Sequence, residues 1–201
     1  MDLMPPSTTS YHHGDLPGAL VRAAVELLEE GEVAELSLRA VARRAGVSTA
    51  APYRHFADRE ALLSAVAAVG YRELAADLAA AHPAPVGVEH LPAVALAYVR
   101  FALDRPGLFR VMFAEPCDPA DPIRVAAVEA VKAYVDAIVR QVFPHADPVA
   151  MSAALWALVH GLAFLHLDGK LDAASPEGVA QRVRSAVLAA LTAEEALTAQ
   201  R

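Results

Sequence analysis

Apolar residues recur along this chain at the three- and four-residue spacing of a helix, and no stretch sustains the strict alternation of a half-buried strand. The pattern predicts an all-α protein. Leu16, Leu20, Ala23, Ala24, Leu27 and Leu28 form a first stripe, with Asp15 as cap, Pro17 in the first turn and Gly31 closing the segment. Leu38, Val41, Ala42 and Ala45 form a second, short stripe behind Ser37, and Gly46 supplies a left-handed stop. Ser48 is placed to cap a third segment running to Phe56. Asp58 caps a longer fourth one carrying Leu62, Leu63, Val66, Val69 and Leu78. The run His82-Pro83-Ala84-Pro85-Val86-Gly87 cannot continue a helix and reads as a boundary. Beyond it the pattern predicts helices over Glu89 to Leu103, Pro106 to Phe113, Ile123 to Phe143, Pro148 to Leu167 and Pro176 to Leu191. The expectation is therefore about nine helices. A flexible arm over 1–14 precedes a head with its connecting helix over 15–81, and a second helical domain covers 82–201.

Composition narrows the class. With 56% hydrophobic and 20% charged residues, the 201-residue chain must fold and bury surface, so a disordered acidic protein is excluded. A formal charge of −7 argues against a nucleic-acid glove over the whole surface, so any basic site is local. Cys117 stands alone, which rules out an intrachain disulfide framework or a multi-cysteine metal cluster and suits a reducing cytoplasm. The stretch MDLMPPSTTS has neither a basic n-region nor an apolar h-region, so no export signal is expected. Lys132 and Lys170 are the only lysines beside many arginines, a bias of GC-rich bacterial genomes. Val149 to Leu167 approaches the length of a membrane span, but His160 and His166 would be costly in lipid; burial between helices or subunits is expected, and no membrane.

The chemistry concentrates in Ser37 to Phe56, SLRAVARRAGVSTAAPYRHF: a short helix, a tight Gly46-Val47-Ser48 connection and a second segment ending in aromatics. This is the spacing of a helix-turn-helix, in which small Ala42 permits close approach, Gly46 turns the chain and Val47 plugs the angle. From Ser37 to Arg59, Arg39, Arg43, Arg44, Arg54 and Arg59 oppose one acid, Asp58, giving a local charge of +4 inside an acidic protein. Arg59 opposes the dipole in the first turn of its helix, and Leu62 and Leu63 offer it no acid along the same helix, so a phosphate contact is expected.

With the preceding DLPGALVRAAVELLEEGE and the following ADREALL, this segment resembles the TetR-type bacterial transcriptional regulators. Tyr11-His12-His13-Gly14-Asp15-Leu16 resembles a subgroup of that family, and Trp156-Ala157-Leu158-Val159-His160-Gly161 a Trp-x-x-x-His-Gly signature of some effector domains. The resemblance implies a cytoplasmic homodimer with two DNA-binding heads on a helical effector-binding and dimerisation domain, acting as a repressor that a small molecule releases from a pseudo-palindromic operator in double-stranded DNA. By position in the motif, Thr49, Ala50 and Tyr53 face the groove, and Arg39 reaches in from the preceding helix as the main base reader. Ser37, Ser48, Tyr53 and His55 resemble phosphate-side contacts, and Arg54 adds local charge beside them. Pro52 departs from the usual aliphatic residue. The amide it lacks would have bonded the Ser48 carbonyl, so the loss falls at the cap and the turn to Phe56 can still form.

In the second domain, Phe101, Phe109, Met112, Phe113 and Tyr134 could line an effector cavity or serve as ordinary core. Trp156 and His160 share a helix face, with Phe164 a turn further, and this stripe could line the pocket or the dimer interface. Adjacent His12 and His13 point apart, and His160 and His166 are six residues apart, so no metal site and no cofactor is expected. Without a phosphate loop, a paired-carboxylate motif or a nucleophile elbow, the chain does not read as an enzyme, and the acidic neighbours of Cys117 disfavour its thiolate. The alternative is a helical small-molecule-binding protein or small enzyme whose head is a relic, which Pro52 and the acidic bulk charge motivate.

Overall fold

The computed structural model describes residues 15–31 and 33–198, so the arm over 1–14 and the Tyr11-His12-His13-Gly14 stretch lie outside the described residues. The architecture is all-helical, with no strand and eight α-helices among the described residues. Helix α1 (Leu16–Glu30) begins where the Asp15 Oδ1 accepts from the Gly18 amide at 3.0 Å, and it buries Leu20, Ala23, Ala24 and Leu28. Helix α2 (Leu38–Arg44) is capped by Ser37, whose Oγ accepts from the Ala40 amide at 3.2 Å. At its end Gly46 takes a left-handed φ of 68°, which lets the Val47 amide reach back to the Ala42 carbonyl at 3.0 Å and folds Val47 onto the core.

The third predicted helix is not an α-helix. Residues 48–56 form successive turns around a short 3-10 segment, Pro52–Arg54, so the expected nine helices become eight. The reason is Pro52: the Ser48 carbonyl cannot receive its missing amide and instead accepts from Ala51 at 2.9 Å, the tighter three-residue geometry. The Pro52 ring is itself fully buried and Phe56, four residues on, is buried too, so they pin this segment to the head.

Helix α3 (Arg59–Ala81), capped by Asp58 Oδ1 on the Ala61 amide at 2.8 Å, buries residues around most of its circumference. It can do so because α4 (Leu91–Asp104), α5 (Pro106–Phe113) and α6 (Pro122–Val142) all pack on it. Helices α7 (Pro148–Leu167) and α8 (Pro176–Thr198) complete the domain against α4. Proline sits in the first turn of α4, α5, α6, α7 and α8, where its missing amide costs nothing. Helix α5 approaches α1 closely: a Cβ on Gly107 would stand 2.5 Å from the Leu28 carbonyl oxygen.

Of the burial expected for helix α7, between helices or between subunits, the single chain supplies only a little. It is long and apolar enough to cross a membrane, with mean hydropathy 1.7, yet only 11% of its apolar stretch is buried. Leu162, Ala163 and His166 face inward, whereas Val149 is 79% exposed and Trp156 53%.

Candidate nucleic-acid interface and aromatic cluster

The helix-turn-helix segment exposes every residue expected of it. Ser37, Arg39, Ser48, Thr49, Ala50, Tyr53, Arg54 and His55 are all exposed, Tyr53 by 53% despite its ring. They are displayed from a head whose interior is apolar: Leu38, Val41, Ala42, Pro52 and Phe56 turn inward from the same stretch. Ser37 contributes less than a free helix end would, because its hydroxyl already holds the Ala40 amide. Ser48 opens no α-helix, so the donors expected at a second helix amino terminus are not arrayed as such.

The local +4 divides into two groups. Arg44 lies between Glu30 and Glu26 of α1, hydrogen-bonded to both carboxylate oxygens of Glu30 and 3.5 Å from Glu26, and the bonding to Glu30 holds that carboxyl below its ordinary range. Its guanidinium thus ties α2 to α1. Arg59 is also engaged: it reaches the Val33 and Leu36 carbonyls and the Glu115 carboxylate. The expectation that no acid is available to Arg59 considered only its own helix; the acid arrives from 56 residues away. Arg39, Arg43 and Arg54 are exposed and make no ion pair among the described residues, so the uncompensated charge of this surface is theirs.

The second group of expected residues converges only in part. Phe109, Phe113, Trp156, His160 and Phe164 form one cluster, with His160 4.8 Å from both Phe113 and Phe164 and 5.5 Å from Trp156, measured between ring centroids. Phe101 reaches it edge-on to Phe109. Met112 packs instead on the α3 side, where a Cβ at Gly70 would strike its sulfur. Tyr134 stands apart: its hydroxyl donates toward the carbonyls of Leu78 and His82, at 3.1 and 2.6 Å, fastening α6 to the end of α3.

Tyr98 on α4 joins the cluster without a signal in the sequence, since nothing in its local spacing separates it from core. Its hydroxyl lies 3.0 Å from His160 Nδ1. Burial raises the Tyr98 hydroxyl above its ordinary range and lowers His160, keeping both neutral. The contact is satisfied when Tyr98 donates and the imidazole keeps its own hydrogen on Nε2. Tyr71, equally unmarked in sequence, stacks edge-on to Phe113 at 5.4 Å and donates to the Met112 carbonyl at 3.0 Å. Cys117 lies in the loop after α5, where burial first and the nearby Glu115 charge after it raise the thiol; this opposes thiolate formation. No group of three or more His, Cys, Asp or Glu placed to hold a metal occurs among the described residues.

A cavity of about 360 Å³ lies between α3 and the end of α4, lined by Glu73, Asp77, Phe101, Asp104 and Arg105. Arg105 lies 3.2 Å from Glu29 on α1 and 3.0 Å from Glu73 on α3.

A compact apolar head displaying arginines and a tyrosine beside a helical bundle with an aromatic cluster defines a DNA-binding regulator of the helix-turn-helix class. Residues 20–66 match the bacterial regulatory proteins of the tetR family, and residues 91–191 match the tetracyclin repressor-like C-terminal domain. The chain belongs to the tetR family of transcriptional regulators. Among solved structures, it is similar to a protein with unknown function from Rhodococcus sp. RHA1, at 34% identity and TM-score 0.73 over 90% of this chain and 98% of that one. The TetR family transcriptional regulator PfmR from Thermus thermophilus shares the fold at 20% identity and TM-score 0.59, over 84% and 94% of the two chains. A TetR family transcription regulator from Marinobacter aquaeolei does so at 18% and 0.62, over 85% and 91%. No match was found among curated proteins.

Proposed function

We propose that this regulator is a ligand-released repressor that binds a pseudo-palindromic operator in the bacterial cytoplasm as a homodimer. The observation that carries the reading is the pairing of two unlike surfaces on one chain: the arginine-bearing face of the head and the bare apolar face of α7. On the first, Arg39 is the base reader, because a guanidinium can bond guanine through two donors, while Thr49 and Ala50 permit close approach and Tyr53, Ser48, Arg54 and His55 meet the backbone. On the second, α7 and α8 pair with their symmetry mates, covering Val149, Trp156 and the small residues between them. A dimer reads two half-sites about 34–36 Å apart or a multiple of that spacing.

The effector subsite is the cluster around His160. A ligand seated against His160 and Trp156 presses on Phe113, and Phe109 packs on the same imidazole; both belong to α5, which lies against α1 of the head. Fluorescence anisotropy with labelled DNA selected from a random pool, beside a scrambled control and over a salt series, tests the DNA reading. Tight, selective and steeply salt-dependent binding supports it. Weak and equal binding to both DNAs would leave the head a relic on a small-molecule-binding protein.

A further inference from the structure

Arg59 opens α3, yet its guanidinium turns back over the segment that joins α1 to α2. Nε donates to the Leu36 carbonyl at 3.0 Å, one Nη to the Val33 carbonyl at 3.0 Å, and the other to the Glu115 carboxylate at 3.1 Å. Val33 and Leu36 bracket a single 3-10 turn, and Leu36 immediately precedes Ser37, the cap of α2. Whatever holds these two carbonyls decides where α2 begins, and with it the placement of Arg39 and the turns behind it. Glu115 belongs to the loop that follows α5, whose Phe109 and Phe113 lie in the aromatic cluster. The same loop is tied to α3 a second time, where the Asp118 amide donates to Ser64 Oγ at 2.7 Å; Ser64 is fully buried and donates in turn to the Glu60 carbonyl at 3.0 Å.

An ion pair at 36% and 27% side-chain exposure is worth little by itself. What sets this one apart is that a single rigid cation fills three acceptors from two separate parts of the chain, with every nitrogen used. Three of its five N–H donors are taken, which leaves a phosphate only the second hydrogen on each Nη.

We propose that Arg59 is a positioning residue and not a phosphate ligand: Glu115 holds its guanidinium on the Val33 and Leu36 carbonyls, and through them the loop after α5 sets the posture of the head. This rests on the DNA-binding reading for one arm of its test and is independent of it for the other. The full chain is prepared as wild type, Arg59→Gln, Glu115→Gln and the double variant.

The first arm uses no DNA: hydrogen exchange of the backbone amides over 33–44, followed by mass spectrometry. Glu115→Gln accelerates this exchange about threefold or more, and the double variant exchanges no faster than Arg59→Gln alone, because Glu115 acts through Arg59. Unchanged exchange in Glu115→Gln overturns the proposal, and so does a double variant in which the two effects simply add. The second arm measures affinity for DNA selected by the wild type, across a salt series. Each single variant binds about tenfold more weakly, with the slope of log affinity against log salt unchanged. A slope flattened by about 0.9 per head in Arg59→Gln means a lost phosphate contact and overturns the proposal. Unchanged affinity in both variants, or tighter binding by Glu115→Gln, also overturns it. If the wild type selects no DNA, the regulator reading fails, and the exchange arm alone decides the role of Arg59.

Discussion

The Tyr98 hydroxyl and His160 Nδ1, 62 residues apart in sequence, meet at 3.0 Å and join α4 to α7 inside a ring of aromatic side chains. The contact satisfies both polar groups in a wall that is otherwise apolar. Tyr98→Phe leaves the imidazole nitrogen without its donor and is expected to cost about 1–2 kcal/mol, measured by urea unfolding. If the same variant responds to effectors as the wild type does, His160 is structural and the ligand seats elsewhere.

Acid should weaken the fold through its histidines. Burial lowers both His160 and His166, and for His166 the Arg182 charge adds to it. The unfolded chain therefore binds more protons than the native one between the depressed native values and about 6.5, so stability rises with pH across that window. It is lost as pH falls through the unfolded value, and the loss levels off once the native rings also charge. His166 is buried beside Arg182, so His166→Leu should flatten the dependence of the urea midpoint on pH below about 6.5. An unaltered pH profile would mean that His166 does not contribute.

Gly107 and Gly161 should answer alanine in opposite ways. At Gly107 the added Cβ meets the Leu28 backbone oxygen at 2.5 Å, which only a shift of α5 away from α1 relieves; the expected loss is about 1–3 kcal/mol. At Gly161 a Cβ meets nothing within 4 Å, and alanine should stabilise the isolated helix by about 0.5–1 kcal/mol. Thermal unfolding of both variants checks the pair.

The α7 face offers a direct test of assembly. Because the single chain leaves space around Gly161, Gly161→Arg should fold normally and, if the proposed dimer pairs through α7, sediment as a monomer, the charge being stranded on that face. Persistence of the dimer at the same concentration would move the interface off α7. Trp156 is the sole tryptophan and half-exposed in one chain, so its emission should shift to longer wavelength as the wild type dissociates on dilution.

Arg39→Ala should lose about 1–3 kcal/mol of binding at one base pair per half-site and relax the preference there. Arg43→Ala should weaken binding about equally on all sequences and lower the salt slope by about 0.9 per head. Competition with operators altered one position at a time separates the two outcomes.

Much of the fold was legible because the signals are local. Asp15, Ser37 and Asp58 were readable as caps, and each accepts the amide three residues on. Prolines in first turns marked the starts of α5 and α7 to the residue. The amide that Pro52 lacks is plain from its identity. What escaped was how far that loss spreads: with the Ser48 carbonyl turned to the Ala51 amide, the whole segment takes turns in place of a helix, while the buried Pro52 ring pins it to the head. The cluster was legible in part: Trp156, His160 and Phe164 share a helix face by spacing alone, whereas Tyr98 and Tyr71 join them from other helices with no spacing to announce it.

The charges divide in the same way. Arginine content by itself established that a basic surface exists near Ser37 to Arg59, and periodicity established a helical protein with a helix-turn-helix near its start. Which arginines are held in ion pairs was decided only in three dimensions, since Glu26, Glu30 and Glu115 take up Arg44 and Arg59 across long sequence separations. The direction in which α7 turns its apolar surface was likewise beyond the sequence, for a helix apolar on every side carries no moment to orient it and takes its facing from whatever packs against it.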